Sequence, residues 1–316
     1  MKDLLNEIDV VIGDCVLRDG FQILSETIPT DNKKAILELL VNAGVHTAEV
    51  TSMVPPHVLP QFGDAEELIE HAIQKGMRYP IVLAPNAKGA RRAIAAGAPA
   101  IVLPLSVSET HSQKNLRKSR SAQVAELAEI RRIIDSEPAE RRPLLAAGVS
   151  TAFGCSYEGK ISEADLFSLV DQCLSVGIDE VSLADTVGYA SPDEVGRVFK
   201  QLVNRVDDAV FVRAHFHDTY GLGLANVYAA LDAGVRVFDG SLAGLGGCPF
   251  APNATGNTTL EDIVFLMQKC GLKTGINLDI LLEGQQMLHK LVPEQPLYGV
   301  INRAGKYPTG FTPDTR

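Results

Sequence analysis

Short, near-continuous apolar runs alternate along the chain with longer segments in which apolar residues recur every three or four positions. The runs are VVIGDC (10–15), TAEV (47–50), YPIVLA (79–84), AIVLPL (100–105), LLAAGVST (144–151), EVSLAD (180–185), VFVRAHFH (210–217) and VRVFDGS (235–241). Their length and β-branched content predict strands, and the intervening periodicity predicts helices. Thr30 is placed to cap a helix over 30–44 that Gly44 ends, and Ser162 and Gly177 bracket another over 162–177. Strands apolar on both faces belong in a parallel sheet covered by helices, and eight strand–helix units predict a (β/α)8 TIM barrel over residues 1–275. A doubly wound open sheet is the competitor, but no G-x-G-x-x-G opens a helix after the first run. Residues 276–316 break the pattern: a helix near 278–292 leads into a stretch rich in proline and glycine, predicting a C-terminal extension packed on the barrel or on a partner subunit.

Composition narrows the function. At 316 residues, 46% hydrophobic and 22% charged, the chain has an ordinary globular balance. A formal charge of −10 argues against nucleic acid or an anionic membrane surface as partner and favours small molecules. No apolar stretch approaches the roughly 20 residues a membrane span needs, and the acidic start reads as no targeting segment. The five cysteines (15, 155, 173, 248, 270) are scattered without C-x-x-C spacing, which fits reduced thiols in the cytoplasm. A homodimer is the expected assembly, being the commonest among soluble oligomers.

Candidate chemistry gathers at the C-terminal ends of the strands, where barrel enzymes keep their sites. Side chains two apart on a strand share a face, so His215 and His217 both point inward, as metal ligands or as packed core histidines. The first run delivers Arg18, Asp19 and Gln22 to the same rim: a carboxylate for a metal and a guanidinium for an oxyanion, or else a surface ion pair beside a Gly20 turn. After the eighth run, SLAGLGGCPFAPNATGN (241–257) has the glycine content of a mobile lid carrying Cys248, and Asn257 begins the next helix as cap or ligand.

Assembled, these segments resemble the 3-hydroxy-3-methylglutaryl-CoA lyase family, among metal-dependent barrel lyases with an R-D-G-x-Q motif. The likeness runs from LRDGFQ through AEVTSMVPPHVLPQFGDAEE, LAPNAKGARRAIAAGA, GCSYEGKIS, EVSLADTVG and HFHDTYGLGLAN to SLAGLGGCPFAPNATGNTTLEDIV, over roughly residues 10–275. The resemblance implies Asp19, His215, His217 and Asn257 as ligands of a divalent metal, Mg²⁺ or Mn²⁺ with Zn²⁺ as an alternative. It implies Arg18 and Cys248 as catalytic residues, and Gln22, Glu49, Asp185 and Glu261 as supporting polar groups. The reaction implied is retro-aldol cleavage of a 3-hydroxyacyl-CoA to acetyl-CoA and a keto acid such as acetoacetate, with Asp19, Asp185 and His215 as candidate bases. The run HSQKNLRKSR (111–120) offers Lys114, Arg117, Lys118 and Arg120 around Asn115 for the phosphates of coenzyme A, or a solvated basic helix start.

One departure bears on the substrate. Phe21 stands where the family has leucine, and Ile23, Leu24 and Ser25 where polar and basic residues are usual, an apolar edge suited to another 3-hydroxyacyl-CoA such as citramalyl-CoA. A condensing synthase and a non-catalytic barrel that senses a metal or CoA ester are the further alternatives.

Overall fold

The eight apolar runs form the staves of one closed parallel barrel in the computed structural model, which describes residues 1–247 and 256–304. The strands are β1 Val11–Asp14, β2 Thr47–Ser52, β3 Tyr79–Leu83, β4 Ala100–Ser106, β5 Leu144–Ser150, β6 Glu180–Asp185, β7 Phe211–Phe216 and β8 Val237–Gly240, paired in sequence order, with β8 closing on β1. The helices are α1 Lys2–Glu7, α2 Thr30–Asn42, α3 Ala65–Gln74, α4 Ala87–Ala95, α5 Glu109–Leu116, α6 Arg120–Ser136, α7 Glu163–Val176, α8 Pro192–Val203, α9 Gly223–Asp232, α10 Leu260–Lys269, α11 Leu278–Leu291 and α12 Val300–Ala304. The (β/α)8 expectation is therefore met, and the open sheet is not.

Two segments serve the barrel's ends. Leu4 and Ile8, from α1 and its end, pack on Val11 and Val237 with Tyr79, Leu144 and Phe211, residues that begin their strands, so this turn of helix plugs the N-terminal mouth. Leu281 and Leu288 of α11 are buried, and Gly284 lies so close to Leu39 of α2 and to Leu242 that a Cβ there would come within 2.7 Å of the Leu39 side chain.

Local expectations divide. Ser162 caps α7 by accepting from Asp165 N–H, and Gly177 ends it in the left-handed region at φ 85°. Thr30 does not cap α2; it is the helix's first residue, and its hydroxyl donates instead to Asp64 across to the next helix (2.8 Å). Asn257 does not begin a helix. It forms an isolated antiparallel bridge with His217, and α10 starts three residues later behind Thr259.

The barrel interior is divided by strand. Ile81, Ala100, Val102 and Ala146 form an apolar cluster on the β3–β5 side, whereas β6, β7 and β8 place Glu180, Arg213, His215 and Asp239 on the pocket wall. The upper barrel thus encloses a cavity of about 420 Å³ that is greasy on one flank and charged on the other.

Candidate active site

Arg18 and Asp19 reach the cavity from a single π-helical turn, Val16–Gly20, in which Gly20 and Asp19 both donate to the Cys15 carbonyl. Such turns widen the helix and re-aim side chains, and they recur at functional sites. Here the result is a compact ion network. Arg18 Nε donates to Glu49, Arg18 Nη1 to Asp19 Oδ1 (2.6 Å), and Gln22 Nε2 to the same oxygen (2.7 Å). The other Asp19 oxygen accepts from Asn257 Nδ2 (2.8 Å).

Period-two alternation along β7 carries Arg213, His215 and His217 into the cavity. The imidazoles of His215 and His217 meet edge to face, with their Nε2 atoms 3.2 Å apart, and His217 Nε2 is 4.0 Å from Asp19 Oδ2. Asp19, His215 and His217 each present a donor atom within 4.8 Å of the others.

The residues present fit a divalent cation. Among the described residues, His217 Nδ1 and Asn257 Oδ1 are buried without a hydrogen-bond partner, so this cluster holds unspent ligating capacity where a fold normally satisfies it. Gly246 leaves the space: at φ 138° it sits so close that a Cβ would fall 2.2 Å from Asn257 Nδ2 and 3.1 Å from Asp19 Oδ2. The mixed imidazole and oxygen set matches ligand types of several first-row divalent ions and, through its oxygens, of Mg²⁺.

Electrostatics keep the groups in ligating form. Burial would raise the Asp19 carboxyl, but Arg18 and then the two histidines hold it below its usual range. Burial lowers His217 to about 4, with His215 and Arg18 adding to the effect against Asp19, so its imidazole is neutral near pH 7. Arg18, flanked by Glu49 and Asp19, is held charged against burial.

The other expected residues sit differently. Asp185 is fully buried and does not line the cavity. Its oxygens accept from Tyr189 N–H (2.9 Å) and Ala190 N–H (3.0 Å), and burial pushes it up to about 6. Asp185 therefore shapes the turn after β6 instead of facing a reacting group. Glu261 lies beneath the segment after β8, both oxygens accepting from Ala243 N–H at 3.0 and 3.1 Å. Cys248 falls outside the described residues.

Of the basic run, Asn115 lines the cavity and Lys114 Nζ lies 4.5 Å from the centre of the Tyr157 ring. Lys118 pairs with Glu126, and Arg120 faces Glu109 (3.8 Å) and Asp165 (3.6 Å), so these two cations are turned to protein partners. The proposed apolar edge is corrected outright: Phe21 is wholly buried, Leu24 packs on the core, and between Phe21 and Ser25 Gln22 alone lines the cavity. Ser25 is exposed and Ile23 half-buried away from the cavity lining, so none of Phe21, Ile23, Leu24 and Ser25 forms an apolar edge on the cavity.

Three residues on the cavity floor were not anticipated. Arg213 donates to both oxygens of Glu180 (2.7 and 3.0 Å) and to Asp239 (2.6 Å), all three nearly inaccessible to solvent. Arg213 lies on the same period-two face as the histidines, which was the available signal.

Known proteins resemble this chain in sequence and fold. The profile of the HMGL-like family matches residues 9–288. The chain is 40% identical over 268 residues to the mitochondrial hydroxymethylglutaryl-CoA lyase of Homo sapiens, covering 84% of this chain and 80% of that one. It is 36% identical over 282 residues to hydroxymethylglutaryl-CoA lyase YngG of Bacillus subtilis, covering 89% and 92%. A solved HMG-CoA lyase from Acinetobacter baumannii, in complex with coenzyme A and 3-methylmalate, superposes with a TM-score of 0.88 at 37% identity over 96% of this chain and 97% of that one. With an R-D-G-x-Q turn and an H-x-H strand end converging on one cavity, and with likeness along nearly the whole barrel, the chain belongs to the HMGL-like family.

Proposed function

We propose that this protein is a metal-dependent carbon–carbon lyase that cleaves 3-hydroxy-3-methylglutaryl-CoA to acetyl-CoA and acetoacetate. The observation that carries the reading is the Asp19–His215–His217 cluster, joined by Asn257 and standing beside the Arg18 guanidinium on the cavity of about 420 Å³.

Asp19, His215, His217 and Asn257 would hold the cation, Mg²⁺ or Mn²⁺ with Zn²⁺ as the alternative. When bound, it supplies Lewis acidity that makes a substrate hydroxyl more acidic. The remaining chemistry belongs to the chain. A base takes the proton of the 3-hydroxyl, the C2–C3 bond breaks, and its electron pair becomes the enolate of acetyl-CoA. Asp19 and His215 face the cavity and are the candidates for that base, whereas Asp185 is committed to the turn after β6. Arg18, charged and fixed by Glu49, is placed to stabilise the enolate oxygen. The Cys248 thiol is the proposed donor of the proton that completes acetyl-CoA at C2. Asn115, on the cavity wall, and neighbouring Lys114 are proposed to meet the coenzyme A portion, and Gln22 to position Asp19.

Among the described residues no helix is long and apolar enough to cross a membrane. Cys15, Cys155, Cys173 and Cys270 are free thiols, which supports a reducing cytoplasm, and a homodimer is proposed as the assembly.

The test is cleavage of 3-hydroxy-3-methylglutaryl-CoA with Mg²⁺ or Mn²⁺ and a thiol reductant, following acetyl-CoA and acetoacetate. Chelator-sensitive cleavage is expected. Turnover of citramalyl-CoA alone would move the substrate, and thiol release from acetyl-CoA with a 2-keto acid would point to a synthase.

A further inference from the structure

His111 is a buried polar group in the cavity wall that the reaction above leaves unused. It lies on α5, one turn before Asn115, so the two share a helix face, and both line the cavity. Its ring is 2% exposed. Nδ1 lies 3.0 Å from Ser106 Oγ, and Nε2 is buried with no hydrogen-bond partner.

The surrounding hydroxyls fix which nitrogen carries the proton. Thr151 Oγ1 accepts from Ser108 N–H (3.1 Å), and its own hydroxyl faces Ser106 Oγ (3.0 Å). If Thr151 donates to Ser106 and Ser106 donates to His111 Nδ1, both hydroxyl hydrogens of this relay are spent. The reverse order strands the Thr151 hydrogen in the interior, at a cost of about 1–3 kcal/mol. Nδ1 is then an acceptor, and Nε2 carries an N–H bond with no partner among the described residues. Burial also lowers the imidazole's pKa, which keeps it neutral. The relay is held by the backbone, because Thr151 adopts φ 56° at the end of β5, a strained conformation for a β-branched residue.

A buried, pre-oriented donor without an acceptor has the form of a binding group awaiting its ligand. Around it the wall is apolar, with Val102, Pro104 and Leu116 from the same strand and helix, so an incoming oxygen would find few competing donors there. We propose that His111 is a specificity-determining residue whose Nε2–H donates a hydrogen bond to an acceptor oxygen of the acyl-CoA substrate, in its acyl group or its pantetheine arm. This rests on the acyl-CoA reading of the cavity.

The test uses the whole protein, metal-free in the presence of a chelator so that substrate binds without turnover. Free coenzyme A and 3-hydroxy-3-methylglutaryl-CoA are titrated by calorimetry into wild type, His111→Phe, which keeps a planar apolar ring, and His111→Gln, whose amide N–H replaces Nε2–H. His111→Phe is expected to weaken 3-hydroxy-3-methylglutaryl-CoA about tenfold or more, and His111→Gln to recover most of the loss. An equal loss for free coenzyme A places the oxygen in the pantetheine arm; unchanged coenzyme A affinity places it in the acyl group. Affinities for both ligands within twofold of wild type in His111→Phe would overturn the proposal. So would a His111→Gln protein as weak as His111→Phe at equal thermal stability. Wild-type protein that binds neither ligand would instead remove the acyl-CoA reading itself, whereas binding without metal-dependent cleavage would remove only the lyase reading.

Discussion

Two charged clusters share one cavity and are built in opposite ways. On the floor, all three guanidinium nitrogens of Arg213 donate to Glu180 or Asp239. At the rim, Asp19, His215, His217 and Asn257 touch one another yet leave His217 Nδ1 and Asn257 Oδ1 without a partner among the described residues. Burying a polar atom without a partner costs free energy, so a fold that does so twice within one cluster leaves capacity for something that binds there. The floor cluster closes on itself; the rim cluster is open, as the proposed metal site requires. Both depend on backbone thinness. A Cβ on Gly13 would lie 2.7 Å from Asp239 Oδ1, and one on Gly246 would collide with Asn257.

The largest difference is expected from removing one charge at the rim. Asp19→Asn keeps the shape of the side chain, and Arg18 retains Glu49 as partner. Turnover should fall about 10³-fold, a loss in the range seen when a group stabilising developing charge is removed. The same variant should lose the metal-induced rise in melting temperature. In wild type that rise reflects about 2.7 kcal/mol at a metal concentration of 100 Kd, reversed by chelator. Near-normal turnover in Asp19→Asn would make the rim cluster as structural as the floor.

Arg213→Met attacks the closed cluster. It leaves Glu180 and Asp239 buried without their cation, a change that typically costs about 3–5 kcal/mol. A fall in melting temperature of roughly 10 °C is expected in a domain this large. Replacing all three residues by apolar ones of similar volume should recover most of the stability, since no charge is then stranded. If Arg213→Met melts like wild type yet is inactive, the floor cluster belongs to the chemistry.

The same contrast explains how much was legible in the sequence. Strands buried on both faces read as continuous apolar runs, so the barrel and the strand ends were visible, and period-two spacing brought His215 and His217 to one face. That spacing extends to Arg213. Its partners lie 33 and 26 residues away, however, and only the register of β7 between β6 and β8 unites them. Asn257 read as a helix start because its bridge to His217 is a single long-range pairing with no local signature. Asp185 became a candidate base through the family resemblance, whereas the turn that claims both its oxygens exists only in three dimensions.

The smallest effect sought is in the pH dependence of stability, at a group beneath the rim that is closed like the floor. Glu261 is wholly buried, its two oxygens facing the Ala243 N–H, and burial pushes its carboxyl up to about 8. Folded protein therefore holds a proton there that unfolded chain, titrating near 4.5, releases. A folded pKa above the unfolded one contributes stability that is complete below about 4.5 and is lost as pH rises through about 8. Asp14, held by Val16 N–H and Leu242 N–H and raised by burial to about 7, has the same sign. Glu261→Gln removes the first contribution and leaves the second. Its thermal stability should gain on that of wild type between pH 5 and pH 8.5, by about 1.4 kcal/mol for each unit by which burial displaces the carboxyl within that window. Melting curves that run parallel across that range would mean that Glu261 is ionised in the fold, and the segment after β8 would then rest on a buried charge instead of a neutral acid.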